Sequence, residues 1–241
     1  YIRDYEGDEP FAMMVGFPGP HCPYDPAAEY LDLFDEEKMP PSIPDAGLTP
    51  QLLEDRVASN RRPWNGVDYT DFTDAHKRRI RAHYAALVKQ IDDEVGAILQ
   101  ALRSSGRWEE TVVIFCSDHG DHLGDHDLIG KGDFYEASIK VPLLVRLPWS
   151  NEATTFAGLA SIGDITATLL ALAGCPLPAY MDAQPLPGLG LPGARPRERI
   201  FGFLAGGCMN FDGSWKLVRY ANGEELLFNL DEDPTEQTNR L

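Results

Sequence analysis

Residues 111–118, TVVIFCSD, run straight into 119–132, HGDHLGDHDLIGKG, and the reading of this junction decides the fold. The first eight residues are β-branched and apolar without alternation. Such a run fits a strand buried on both faces, as in a parallel sheet. It also makes Cys116 a buried thiol. The polar turn that follows is where an open α/β sheet gathers its ligands, at the carboxyl end of a strand.

Working outward, Ile80, Tyr84, Leu87, Ile91, Val95, Ile98 and Leu102 recur at helical spacing. Thr73 or Asp74 can cap this helix and Gly106 can end it. It is expected to pack on the sheet, with the basic cluster His76–Arg79 and the pair Asp92–Asp93 on its solvated face. VPLLVRL, 141–147, reads as a second buried strand, and GDITATLLALAG, 163–174, as a helix with a glycine stop. Alternating strands and helices predict an α/β domain, a mainly parallel sheet flanked by helices. FAMMVGF, 11–17, reads as a further short buried strand, followed by the proline-rich PGPHCPYDP. Residues 35–70 have no steady period and read as a long irregular excursion with a functional or partner surface. After Gly174 the style changes. Pro and Gly crowd 175–198, and the dipeptides Asp212-Gly213 and Asn222-Gly223 separate short apolar runs, a hairpin signal. The chain therefore divides into 1–174, α/β, and 175–241, a subdomain with a small antiparallel sheet.

The formal net charge of −17 argues against nucleic acid or an anionic membrane as partner. No apolar run approaches the length of a membrane span. The four cysteines form no CxxC pair, which excludes a zinc ribbon and suggests no disulfide framework. No signal peptide is visible, and the compartment, cytoplasmic or exported, stays open. A start at Tyr1 and the ending DPTEQTNRL read as a piece of a longer protein.

Three of the six histidines lie between Ser117 and Gly132. Asp118 and His119 form a mixed carboxylate–imidazole pair suited to a divalent ion, provided Gly120 lets the chain bend. Two ligands are too few for a complete site. Lys131, between Gly130 and Gly132, offers a point charge for sulfate or phosphate. The competing reading, a solvated lysine and an acidic surface loop, is about equally weighted. Asp121, His122, Asp125, His126 and Asp127 read as scaffold that shapes the loop by hydrogen bonds. His21, just past the first expected strand, is a candidate general acid. His76 and His83 read as surface residues of the long helix.

VVIFCSDHGDHLGDHDLIGKGDFYEASIKVPLLVR resembles the second-half signature of the sulfatase family, within the alkaline phosphatase superfamily. FAMMVGFPGPHCPYDP resembles that family's strand and Pro-His-Pro loop, SIGDITATLLALAG its next helix, and LFNLDEDPTEQTN its C-terminal hairpin. The resemblance implies an alkaline-phosphatase-like α/β fold and a metal-dependent hydrolase of sulfate esters. It implies that Asp118 and His119 ligate one divalent cation, calcium first and manganese second. It implies that Lys131 binds the oxyanion and that His21 contacts the ester and assists the leaving oxygen. A phosphonate monoester or phosphodiester hydrolase of the same fold is the alternative, and a non-catalytic truncated module a third. The family's Asp-Asp strand and its Cys/Ser-x-Pro-Ser-Arg segment, the source of the formylglycine nucleophile, have no counterpart here. The chain resembles the second half of a family member, with no nucleophile of its own. Its expected partners are a small sulfate or phosphonate ester and the missing N-terminal half. Alone it is expected to be inactive.

Overall fold

The computed structural model describes residues 1–241 except 8, 49, 52, 53, 56, 57, 59–67 and 151. The excursion expected at 35–70 thus lies partly outside the described residues. Its described part includes the three-ten turn Glu36–Lys38 and is tied down at Ile43, whose N–H donates to Asp125 Oδ1 at 2.7 Å.

Helix α1 spans Ala28–Leu31 and α2 spans Asp74–Ser104. Thr73 caps α2 in a reciprocal box: its Oγ1 accepts from His76 N, and His76 Nδ1 accepts from Thr73 N. Gly106, at φ +76°, ends the helix in the left-handed conformation a side chain disfavours. Only Ala82, Ala86 and Leu102 are buried along α2. The basic cluster is not a purely solvated face. The Lys77 ammonium pairs with Asp127, and the Arg81 guanidinium with Asp125 and Leu123 O, so α2 grips the 121–127 loop. His83 is likewise half-buried, its Nδ1 donating to Tyr24 O at 2.8 Å.

Strands β1, Val113–Cys116, and β2, Leu143–Arg146, are where expected. Their pairing is antiparallel, Val113 opposite Arg146 and Cys116 opposite Leu143. The mainly parallel sheet expected from the apolar runs is therefore not found among the described residues, where both sheets are antiparallel. Continuous apolarity does not report strand direction, since the same run can serve either ladder. Nor are the faces covered within this chain, since Phe115 and Leu144 are 39% and 61% exposed and Cys116 is exposed. The expected strand at 11–17 forms no ladder, and Met14 is 96% exposed. Helix α3, Glu136–Ile139, links the loop to β2, and α4, Gly163–Leu172, ends before Gly174 at φ +69°.

Residues 200–229 form a four-stranded antiparallel meander in the order β3, Ile200–Leu204; β4, Gly207–Phe211; β5, Trp215–Arg219; β6, Glu225–Asn229. Strand alternation sends Met209, Val218, Leu226 and Phe228 inward, where they pack with Phe134 and Tyr135 from the loop before α3. Each such side chain contributes about 1.5–3 kcal/mol of burial. The sheet is thus the floor on which the 117–138 segment rests. No helix among the described residues is long and apolar enough to cross a membrane.

Candidate functional site

Asp118 and His119 leave the carboxyl end of β1 and are shaped by their own backbone. Ser117 Oγ donates to His119 O at 2.8 Å, and His119 N donates to Asp118 Oδ1 at 3.0 Å. Gly120 then presses against α3: a Cβ there would stand 2.1 Å from Ala137 O, and its N–H donates to Ser138 O at 2.8 Å. Only glycine permits this approach. His119 Nδ1 donates to Gly120 O at 2.8 Å, which leaves Nε2 as the free lone pair. That nitrogen lies 3.5 Å from Asp118 Oδ2.

Lys131 stands between Gly130 and Gly132, at φ +79° and +111°. Gly132 N donates to Ser138 Oγ at 3.1 Å, so α3 holds the loop at this end too. The Lys131 ammonium donates to His21 Nε2, and His21 Nδ1 donates to Cys22 O at 2.7 Å. The His21 and His119 rings lie 5.8 Å apart, edge to face. The four residues singled out in the sequence therefore converge. Asp118, His119 and Lys131 open onto a concavity of about 1740 Å³. Its wall extends along β2, 152–162, 186–189 and β3, so these three residues occupy one corner of it.

Between these ends the loop is closed. Asp121 accepts from Tyr24 Oη at 2.8 Å and from Leu123 N and Gly130 N, both at 3.0 Å. Burial and the Asp121 carboxylate push the Tyr24 phenol well above its ordinary range, so it stays a donor. His122 Nε2 meets Asp133 Oδ2 at 2.9 Å with both side chains 1% exposed. His126 sits in a left-handed conformation, φ 56°, stacked on Tyr135 at 4.2 Å between centroids. Burial first, and His122 second, lower its pKa. These residues shape the loop, as their place in the sequence suggested.

Asp118 and His119 fit a divalent cation by donor chemistry. Each offers one unspent atom toward the other, and the imidazole tautomer is fixed by a carbonyl, as metal-bound histidines usually are. Their facing donor atoms, 3.5 Å apart, are the ones that would hold such an ion. No group of three or more potential metal ligands occurs among the described residues.

Sequence reasoning missed the supports: Tyr24, Arg81, Glu136, Ser138, Lys216 and Glu236. One signal was available. Alternation in Trp215–Arg219 puts Lys216 on the face of Val218, which is the buried one.

The Sulfatase family model matches residues 1–175. The choline-sulfatase of Rhizobium meliloti is 31% identical over 249 residues, covering 98% of this chain and 47% of that protein. An arylsulfatase of Clostridium perfringens is 28% identical over 255 residues, covering 100% of this chain and 51% of its own length. Among solved structures, the phosphonate monoester hydrolase of Agrobacterium radiobacter superposes with a TM-score of 0.82 at 27% identity. That likeness covers 97% of this chain and 53% of that one. The fold is accordingly the alkaline-phosphatase-like α/β fold. The chain spans about half the length of the curated relatives it matches.

Proposed function

The chain belongs to the sulfatase family, and from that premise we propose that it supplies the oxyanion-binding part of an enzyme that hydrolyses sulfate esters. The observation that carries this reading is the hydrogen bond between Lys131 and His21, 110 residues apart, beside the His119 ring. Lys131 neutralises an anionic ester oxygen, the preorganised charge this chemistry needs in a chain of net charge −17. His21 has Nδ1–H committed to a carbonyl, so Nε2 is the nitrogen that faces the ester; protonated there, the imidazolium gives that proton to the departing alkoxide and returns to the neutral ring that accepts from Lys131. Asp118 and His119 hold the divalent cation, calcium first and manganese second. When bound, that ion supplies Lewis-acid polarisation of the ester oxygens. The remaining ligands and the formylglycine nucleophile belong, in this proposal, to the part of a family-length protein not represented in this sequence. Residues 1–174 are the second half of the α/β domain and 175–241 its C-terminal subdomain. The family match, which stops at residue 175, supports that division. The outer edges of β1 and β2 are where parallel strands of the remainder would add.

A second reading, a phosphonate monoester or phosphodiester hydrolase, is favoured by the 0.82 TM-score to such an enzyme and by the histidine at position 119. One experiment separates them: turnover of a sulfate and a phosphonate ester of the same alcohol by the family-length protein, with its metal content measured. We expect faster sulfate turnover and one divalent ion per site. Fast phosphonate turnover with negligible sulfatase activity selects the second reading. Turnover of neither leaves a non-catalytic module.

A further inference from the structure

Lys216 of β5 is fully buried, and no step above uses it. Its ammonium lies 3.0 Å from Glu136 Oε1 and 2.5 Å from Glu236 Oε1. The other Glu236 oxygen accepts from Glu136 N, the first residue of α3, at 2.7 Å. Glu236 is 1% exposed and sits at φ 57°, a conformation a non-glycine residue keeps only when its surroundings hold it there. They do: Asp233 Oδ2 accepts from Gln237 N at 2.7 Å and Thr238 N at 2.8 Å, and Arg240 N donates to Leu227 O on β6 at 2.8 Å. The tail is thus pinned to the sheet, and Glu236 projects from it under α3.

Helix α3 is the element that touches both ends of the site loop. Ser138 takes Gly120 N on its carbonyl and Gly132 N on its hydroxyl. Gly120 adjoins His119, and Gly132 adjoins Lys131. We propose that Glu236, outside the stretch matched by the family model, is a positioning residue: its carboxylate, whose charge Lys216 balances, fixes α3 through the Glu136 amide, and α3 sets the spacing between His119 and Lys131. This rests on the reading of those two residues as active-site groups. Neither Lys216 nor Glu236 touches substrate or metal; their effect passes through the backbone of residues 136–138.

The test compares two double variants of the family-length protein, Lys216→Met/Glu236→Gln and Lys216→Met/Glu236→Leu. Both remove the buried charges, a replacement such pairs commonly tolerate. Burial holds the Glu236 carboxyl above its usual range despite Lys216, which points the same way. Only the Gln variant keeps an oxygen for Glu136 N. We expect it to retain turnover within about threefold of the unsubstituted protein, while the Leu variant loses about 10- to 100-fold in kcat with little change in KM. The Gly120 and Gly132 amides should lose hydrogen-exchange protection in the Leu variant only, while β5 and β6 amides keep theirs. Equal kcat and equal exchange at the two glycines in both variants would overturn the proposal. If both variants unfold, exchange in the unsubstituted protein decides. The two glycine amides must open with those of Val218 and Leu227, and exchange more than about 100-fold faster overturns the proposal. An unsubstituted protein that hydrolyses neither ester refutes the proposed function, and the exchange comparison still decides the positioning role.

Discussion

His119 and His122 lie three residues apart on one loop, each beside an aspartate, and the fold treats them oppositely. The side chains of Asp118 and His119 are 83% and 31% exposed, and those of His122 and Asp133 are 1% exposed. The first pair spends its hydrogen bonds on backbone and leaves Nε2 facing a carboxylate across 3.5 Å. In the second pair His122 Nε2 and Asp133 Oδ2 bond each other, and Asp133 Oδ1 accepts from Tyr135 N. Residue type is the same in both, so chemistry is assigned by what remains unspent.

That contrast breaks most sharply in a crossed pair of substitutions. Lys131→Ala should lower kcat/KM of the family-length protein by about 10²–10³-fold, as loss of one oxyanion donor does. Its melting temperature should stay within ~2 °C, because the residue packs little. Asp133→Ala should do the reverse. It strands His122 Nε2 and Tyr135 N, which donates to Asp133 Oδ1 at 3.1 Å, and should cost about 3 kcal/mol of stability. Thermal unfolding beside steady-state kinetics reads both. A Lys131→Ala protein that melts early, or an Asp133→Ala protein that melts normally, would erase the distinction between open and closed ends.

Gly120 is where the two regions meet, and Gly120→Ala should therefore affect both. The added Cβ meets a backbone oxygen, Ala137 O, which no rotamer change can move aside. We expect about 1–3 kcal/mol lost from overpacking, with a fall in turnover as His119 is displaced. Full stability and activity in this variant would mean that α3 yields freely, contrary to its ties at both loop ends.

Much of this organisation is legible in the sequence. Helix α2 with its Thr73 cap, the hairpin turns at Gly213 and Gly223, and the four site residues follow from periodicity, turn chemistry and the family signature. What misled was apolar composition read as burial. Met13, Met14, Val15, Phe115 and Leu144 look like core and stand exposed in this chain, because apolar composition alone does not say whether a partner surface is present. Strand direction was equally hidden, since the same apolar run serves either ladder. The supports of the site were illegible for another reason. Arg81, Glu136 and Glu236 act over sequence separations of 44, 80 and 100 residues, and no local pattern marks such a pairing. Lys216 is the exception, because its place in the alternation already pointed inward.

His126 gives the smallest and most specific handle on the closed region. Its ring is buried against Tyr135, and its Nδ1 faces Gln237 Nε2 at 3.4 Å. Burial, then His122, lowers its pKa below 6.5, outweighing the opposite pull of Asp125, Asp133 and Asp45. Between 6.5 and the lowered native value, the unfolded chain therefore binds more protons at this position than the folded one. Stability contributed by neutral His126 is fully present above 6.5 and is lost as pH falls through the native value. One proton sets the ceiling of the slope at about 1.4 kcal/mol per pH unit. His126→Asn removes the titration while tolerating the left-handed backbone at this position. Denaturant unfolding between pH 7 and 5 should then show a shallower loss of stability in the variant than in the unsubstituted protein. Parallel curves would mean that His126 stays solvated and that the middle of the loop is less closed than its contacts indicate.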